Sequence, residues 1–149
     1  MLQYQYRFEK VLTIREQEKQ QTEMAYKQAV NSFEEVATKL YELLKKKEEL
    51  IEFQNDKLKI GATIDEIHHY AKFLGSLEHS ITDMQQKVIQ ARTKMNWHEQ
   101  KLVEKNLEVR KFEKMREKDF EAYKEEQDKL EMLRLDEISL LMYNKKEIR

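Results

Sequence analysis

The chain contains no cysteine and no proline among its 149 residues, and only two glycines, Gly61 and Gly75. Without cysteine there is no disulfide framework and no thiolate metal site. With so little glycine and no proline, tight turns are few, which excludes all-β and doubly wound folds. Charge of one sign is missing as well. The 28 basic residues balance 29 acidic ones, so nothing pulls the chain toward nucleic acid or an anionic membrane. No apolar run approaches the ~18 residues of a membrane span. The opening Met-Leu-Gln-Tyr-Gln-Tyr-Arg-Phe lacks the basic start and apolar stretch of a signal peptide. These features predict a cytosolic protein.

What the chain does have is 40% hydrophobic and 38% charged residues arranged in stripes. Taking every seventh residue from Ile67 gives Leu74, Ile81, Val88, Met95, Leu102, Val109, Arg116, Tyr123 and Leu130, with Arg116 the one polar member. A second, weaker column runs Tyr70, Leu77, Met84, Ala91, His98, Lys105, Phe112, Asp119, Glu126 and Leu133. Two such columns, offset by three and four, are the seam of a coiled coil. A seven-residue repeat falls short of two helical turns, so the seam drifts and its partner follows with a left-handed supercoil. The first half carries a matching seam: Tyr26, Ala29, Phe33, Val36, Leu40, Leu43, Lys47 and Leu50. Extended backwards it reaches Phe8 and Leu12 across a polar gap at Arg15, Lys19 and Thr22. Glu23–Lys27, Glu35–Lys39 and Glu42–Lys46 add favourable pairs one turn apart, each worth ~0.2–0.5 kcal/mol. The Lys45–Glu49 charge run reads as a solvated face.

Gly61 followed by Thr63-Ile64-Asp65-Glu66 is a stop and a start. Glycine takes the left-handed cap conformation without Cβ strain, and Thr63 with Glu66 spells a capping box. A connection this short makes antiparallel neighbours. The expected fold is therefore all-α: a long antiparallel two-helix coiled-coil hairpin forming one elongated domain over 1–149. Its first arm covers about 8–60, its turn 61–63 and its second arm about 64–143. Residues 1–7 are expected to fray. Gly75 offers a break, but Ile67, Leu74 and Ile81 keep one frame across it, and an isolated glycine costs a helix only about 1 kcal/mol. The second arm outruns the first. Its overhang carries Leu130, Leu133, Leu135, Ile138, Leu140, Leu141, Met142 and Tyr143, too many apolar residues for a solvated tail.

A two-helix hairpin has no water-excluding pocket for catalysis. There is no P-loop, no Gly-x-Ser-x-Gly and no glycine-rich phosphate cradle. Glu66-Ile67-His68-His69 contains Glu-x-x-His, but the second half of a di-metal motif is missing. Asp65 with His69, and His79 with Asp83, lie one turn apart and read as exposed helix side chains. No enzyme, cofactor or metal site is expected. Binding remains. Phe53 and Phe73 fall beside the seam on either side of the turn, where aromatic rings either cap the coil or meet a partner. Trp97 falls at an outer position, where Lys94 and Lys101 flank its ring for a cation–π contact.

The run Tyr6-Arg7-Phe8-Glu9-Lys10-Val11-Leu12-Thr13-Ile14-Arg15-Glu16 resembles the opening of the FliJ family of flagellar export proteins. Lys105 to Lys118, Lys-Asn-Leu-Glu-Val-Arg-Lys-Phe-Glu-Lys-Met-Arg-Glu-Lys, resembles its Gram-positive members. Length and the single central turn agree. The resemblance implies an antiparallel coiled coil similar to the gamma-subunit central stalk of rotary ATPases. It also implies a non-enzymatic part in type III protein export and motility. The implied partners are the export ATPase FliI, whose ring assembly the family promotes, the export gate protein FlhA, and export chaperones. Contact with the inner membrane would be peripheral, through these partners. By local match, the gate patch near the tip falls on Leu50, Phe53, Phe73 and Leu77, with Ser80 and Met84 at its margin. The unsatisfied open end, with Leu133, Leu135, Ile138 and Leu141, then faces the ATPase. Two other readings use the same residues: a structural coiled coil that dimerises through its seam, and a chaperone with grasping arms. A hairpin favours the stalk, and one continuous helix favours the dimer.

Overall fold

The computed structural model describes residues 3–147. Two helices account for nearly all of them: α1, Glu9–Ile60, and α2, Ile64–Glu147. They form an antiparallel hairpin. α2 runs through Gly75 without interruption, where a Cβ would meet nothing within 4 Å. The turn is built by Gly61 and Thr63. Gly61 adopts φ 114° and its N–H donates to the Lys57 carbonyl (2.9 Å), closing α1. The Thr63 hydroxyl accepts from the Glu66 N–H (3.2 Å), and the Thr63 carbonyl accepts from the Ile67 N–H (3.1 Å), opening α2. The Glu66 carboxylate does not complete the capping box in the expected way. It lies 3.4 Å from Lys57 Nζ, tying the first turn of α2 to the last turn of α1.

The chain divides into two units, one of residues 20–103 and one of residues 1–19 with 104–149. In the first, which holds the turn, burial follows the seven-residue frame. Tyr70, Leu74, Leu77, Ile81, Met84, Val88, Ala91, Met95, His98 and Leu102 are covered or half-covered, whereas nearly every other side chain of α2 in this unit is exposed. On α1 the covered positions include Thr22, Tyr26, Ala29, Phe33, Val36, Leu40, Leu43, Lys47, Leu50 and Gln54. The arms keep one register: Leu50 meets Tyr70, Lys47 pairs with Glu78 (3.6 Å), and the Arg92 guanidinium lies 5.7 Å from the centre of the Phe33 ring. Each arm's seam is thus met by the other arm of the same chain. Ile67 leaves the pattern, because so close to the turn it is 39% exposed.

In the second unit the seam continues through Leu12, Val109 and Phe112, and Leu12 is its most completely buried side chain. The frayed start expected for residues 1–7 is not what the structure shows for those it describes. Tyr6 is buried, and its hydroxyl donates to the Phe112 carbonyl (3.3 Å). The Tyr4 hydroxyl donates to Asp119 Oδ2 (2.8 Å), and its ring packs against Phe120 and Tyr123. The segment before α1 is not helical, yet its tyrosines lie against α2. Beyond Tyr123 every described residue of α2 is exposed.

The hairpin makes a direct prediction. Spin labels at the exposed positions 45 and 80 should report a short distance within one molecule, unchanged when labelled protein is diluted with unlabelled chain. A distance that disappears on dilution would mean that the arms belong to different chains.

Candidate interaction surfaces

The first surface lies at the turn. Leu50, Phe53 and Lys57 on α1 and Ile67, Tyr70 and Phe73 on α2 line a cleft of about 350 Å³, closed at the tip by Leu58 and Ala62. It exists because the seam gives out there. Phe53 and Phe73 stand outside the seam and are each 59% exposed. Tyr70 is the covered seam side chain of α2 nearest the turn, and its hydroxyl donates to the Leu50 carbonyl at the cleft. Burial pushes the Tyr70 phenol up from its ordinary value, so it keeps its proton as a donor. Lys57 Nζ lies over the Phe53 ring, 5.6 Å from its centre, while pairing with Glu66. A mostly apolar cleft with a charged rim is suited to an apolar side chain from another protein.

Of the four tip residues named from sequence, Leu50, Phe53 and Phe73 come together in this cleft. Leu77 does not line it. At 8% exposure Leu77 belongs to the seam. Ser80 is exposed and Met84 is half-buried one and two turns further along α2. Sequence reasoning missed Tyr70, Ile67 and Lys57 as cleft residues. The available signal was an aromatic hydroxyl at a seam position beside the turn, since a buried phenol needs an acceptor.

The second surface is the free part of α2. Leu133, Leu135, Ile138 and Leu141 are 41–69% exposed, as are their apolar neighbours Leu130, Met132, Leu140, Met142 and Tyr143. At 100° per residue these side chains point to all sides of the helix rather than to one. Glu131, Arg134, Asp136 and Glu137 are interleaved with them, so no single face of this stretch is apolar.

On either side of the buried Leu12 the seam turns ionic. Arg15 Nη1 donates to Glu18 Oε2 (3.1 Å), which also accepts from Lys105 Nζ (3.3 Å), and Arg116 faces Glu9 at 3.5 Å. Glu108 completes the group, 3.8 Å from Arg15 Nε, too far for a hydrogen bond. Arg15 Nε and Glu108 Oε2 are both buried without a hydrogen-bond partner. His79 and Asp83 approach to 3.6 Å on the exposed face of α2, and no cluster of three metal-ligating side chains occurs among the described residues.

Comparison with known proteins identifies these surfaces' setting. Residues 4–147 match the family described as flagellar FliJ protein. The chain belongs to the FliJ family. It is 44% identical over 140 residues to the flagellar FliJ protein of Bacillus subtilis (strain 168), covering 94% of this chain and 95% of the relative. Its fold is similar to that of CT670 of Chlamydia trachomatis, described as a YscO homologue, with a TM-score of 0.69 over 99% of both chains at 19% identity. As a FliJ-family protein the chain is a non-enzymatic component of flagellar export. Among the described residues no helix is long and apolar enough to cross a membrane.

The ionic seam gives a pH dependence. Hydrogen bonds from Arg15 and then Lys105 hold the Glu18 carboxyl below its ordinary value. A depressed carboxyl contributes stability above its unfolded value near 4.5 and loses it as pH falls through the folded value. Labels at Thr13 and Lys111 should therefore report a distance that broadens in acid for the native chain. Glu18→Gln should show the broadened distribution already at neutral pH. A distribution in the native chain that is insensitive to acid would show that Glu18 does not hold this part of the hairpin.

Proposed function

We propose that the chain is the stalk and adaptor of the flagellar type III export machine. The free end of α2, with Leu133, Leu135, Ile138 and Leu141, binds the export ATPase FliI and promotes assembly of its ring. The tip cleft, with Leu50, Phe53 and Phe73 backed by Leu77, contacts the export gate protein FlhA. Export chaperones are handled by the same molecule, which works in the cytoplasm, held at the inner membrane by its partners. The observation that carries this reading is that each unit leaves apolar surface its own seam does not use. A coil that served only to hold itself together would bury those residues or replace them with charge. Its exposed leucines are spread around the helix, so a partner that surrounds it gains more contacts than a single flat one.

The two surfaces are separable by mutation. Phe53→Ala with Phe73→Ala should leave helicity and ATPase binding intact and weaken gate binding roughly thirtyfold, since an aromatic anchor contributes on the order of 2 kcal/mol. Removing residues 131–149 should do the reverse. Measured by pull-down and titration with each purified partner, a double phenylalanine variant that still binds the gate normally would overturn the tip assignment. A truncated chain that still binds the ATPase normally would overturn the other.

A further inference from the structure

The segment ahead of α1 is a strap across α2. Cover alternates along it: Gln3, Gln5 and Arg7 are exposed, Tyr4 is half-buried and Tyr6 is buried. Tyr6 donates its hydroxyl to the Phe112 carbonyl (3.3 Å), and Tyr4 donates to Asp119 Oδ2 (2.8 Å). The Tyr4 ring stands edge-on to Phe120 at 5.1 Å and lies 5.2 Å from Tyr123. Two tyrosines thus reach from Phe112 to Tyr123, ~16 Å of helix at 1.5 Å per residue.

Phe112, Arg116, Asp119 and Tyr123 are successive positions of the seven-residue frame. α1 begins only at Glu9, which reaches Arg116 at 3.5 Å. The seam therefore passes from α1 to the strap and then ends. Leu130 and Leu133, the next apolar members of the same two columns, are 53% and 60% exposed. A partner that follows those columns toward the turn meets the strap first. The strap has little to hold it. Among the described residues no main-chain hydrogen bond joins residues 3–8 to α2, so its grip is two phenol hydroxyls and their rings. Residues 7 and 8 form a turn, and the Glu9 N–H donates to the Tyr6 carbonyl (3.2 Å). At that turn the strap can swing out without unwinding either helix.

We infer that residues 3–6 are a lid on the seam of α2, and that the partner of the free end displaces it. The partner then covers Phe112 and Tyr123 with apolar side chains and gives Asp119 a new hydrogen-bond donor. Its contact with α2 runs unbroken from the free end to Phe112. The inference rests on the reading that the export ATPase binds the free end, and it adds that the free chain keeps part of that surface closed.

The chain has no cysteine, so Gln5→Cys with Lys118→Cys places spin labels on the strap and on α2 alone. The full-length protein should give a narrow distance by itself and a longer, broader one with the purified ATPase. Tyr4→Ala with Tyr6→Ala should be broad already and, with helicity unchanged, should bind the ATPase about fivefold more tightly, because the partner no longer competes with the strap. Tyr4→Phe with Tyr6→Phe keeps the rings, and should give a smaller gain in the same direction. A strap distance unchanged in the ATPase complex would overturn the lid. So would an alanine variant that binds equally or more weakly, which would make the strap a fixed part of the hairpin. Failure of the free-end reading shows separately, as ATPase affinity unchanged on removing residues 131–149. A strap that opens and an alanine variant that binds more tightly sustain the lid in either case.

Discussion

The structure depends on the seven-residue repeat of apolar side chains shared by two antiparallel arms. A helix turns once in about 3.6 residues, so only positions spaced three and four apart remain facing a neighbour. Most covered positions within each unit are these, and the opposite faces are left to water. Burial on a single stripe gives a thin core. Tyr6, Leu12, Ala29, Leu77, Ile81 and Val109 are the only described hydrophobic residues fully buried. Every departure from the stripe therefore has a structural consequence, because no deeper core exists to absorb it.

Three departures from the stripe stand out. At the turn Ile67 is left uncovered and, with Phe53 and Phe73 outside the seam, lines a cleft beside Tyr70. Beyond Tyr123 α2 continues without a partner, and its apolar residues spread around the helix. At Arg15, Glu18, Lys105 and Glu108 ion pairs replace apolar contacts, and two buried polar atoms stay unsatisfied. That ionic stretch lies in the unit that also carries the free helix.

The hairpin was legible in the sequence because its determinants are local and periodic. The columns from Leu74 to Tyr123 and from Tyr26 to Leu50 are covered side chains, and Gly61 with Thr63 makes the turn. What was not legible depends on contacts distant in sequence. Tyr4 and Tyr6 sit in no repeat, and they are held by Asp119 and by the Phe112 carbonyl more than a hundred residues away. Glu66 spells a capping residue, yet Lys57 across the turn captures its carboxylate. Leu77 and Phe73 both read as tip residues. Only the position of the partner arm separates them, burying Leu77 and leaving Phe73 in the cleft.

The central claim is that intrachain pairing satisfies the seam and leaves the end of α2 for the export ATPase. Hydrogen exchange on the full-length chain, alone and with the ATPase, tests it most directly. Alone, amides from 70 to 116 should exchange slowly and those from 124 to 147 quickly. With the ATPase, exchange should slow over 124–147 and stay unchanged around Phe53 and Phe73. Slow exchange over 124–147 in the free chain, or protection by the ATPase confined to the tip, would contradict the account.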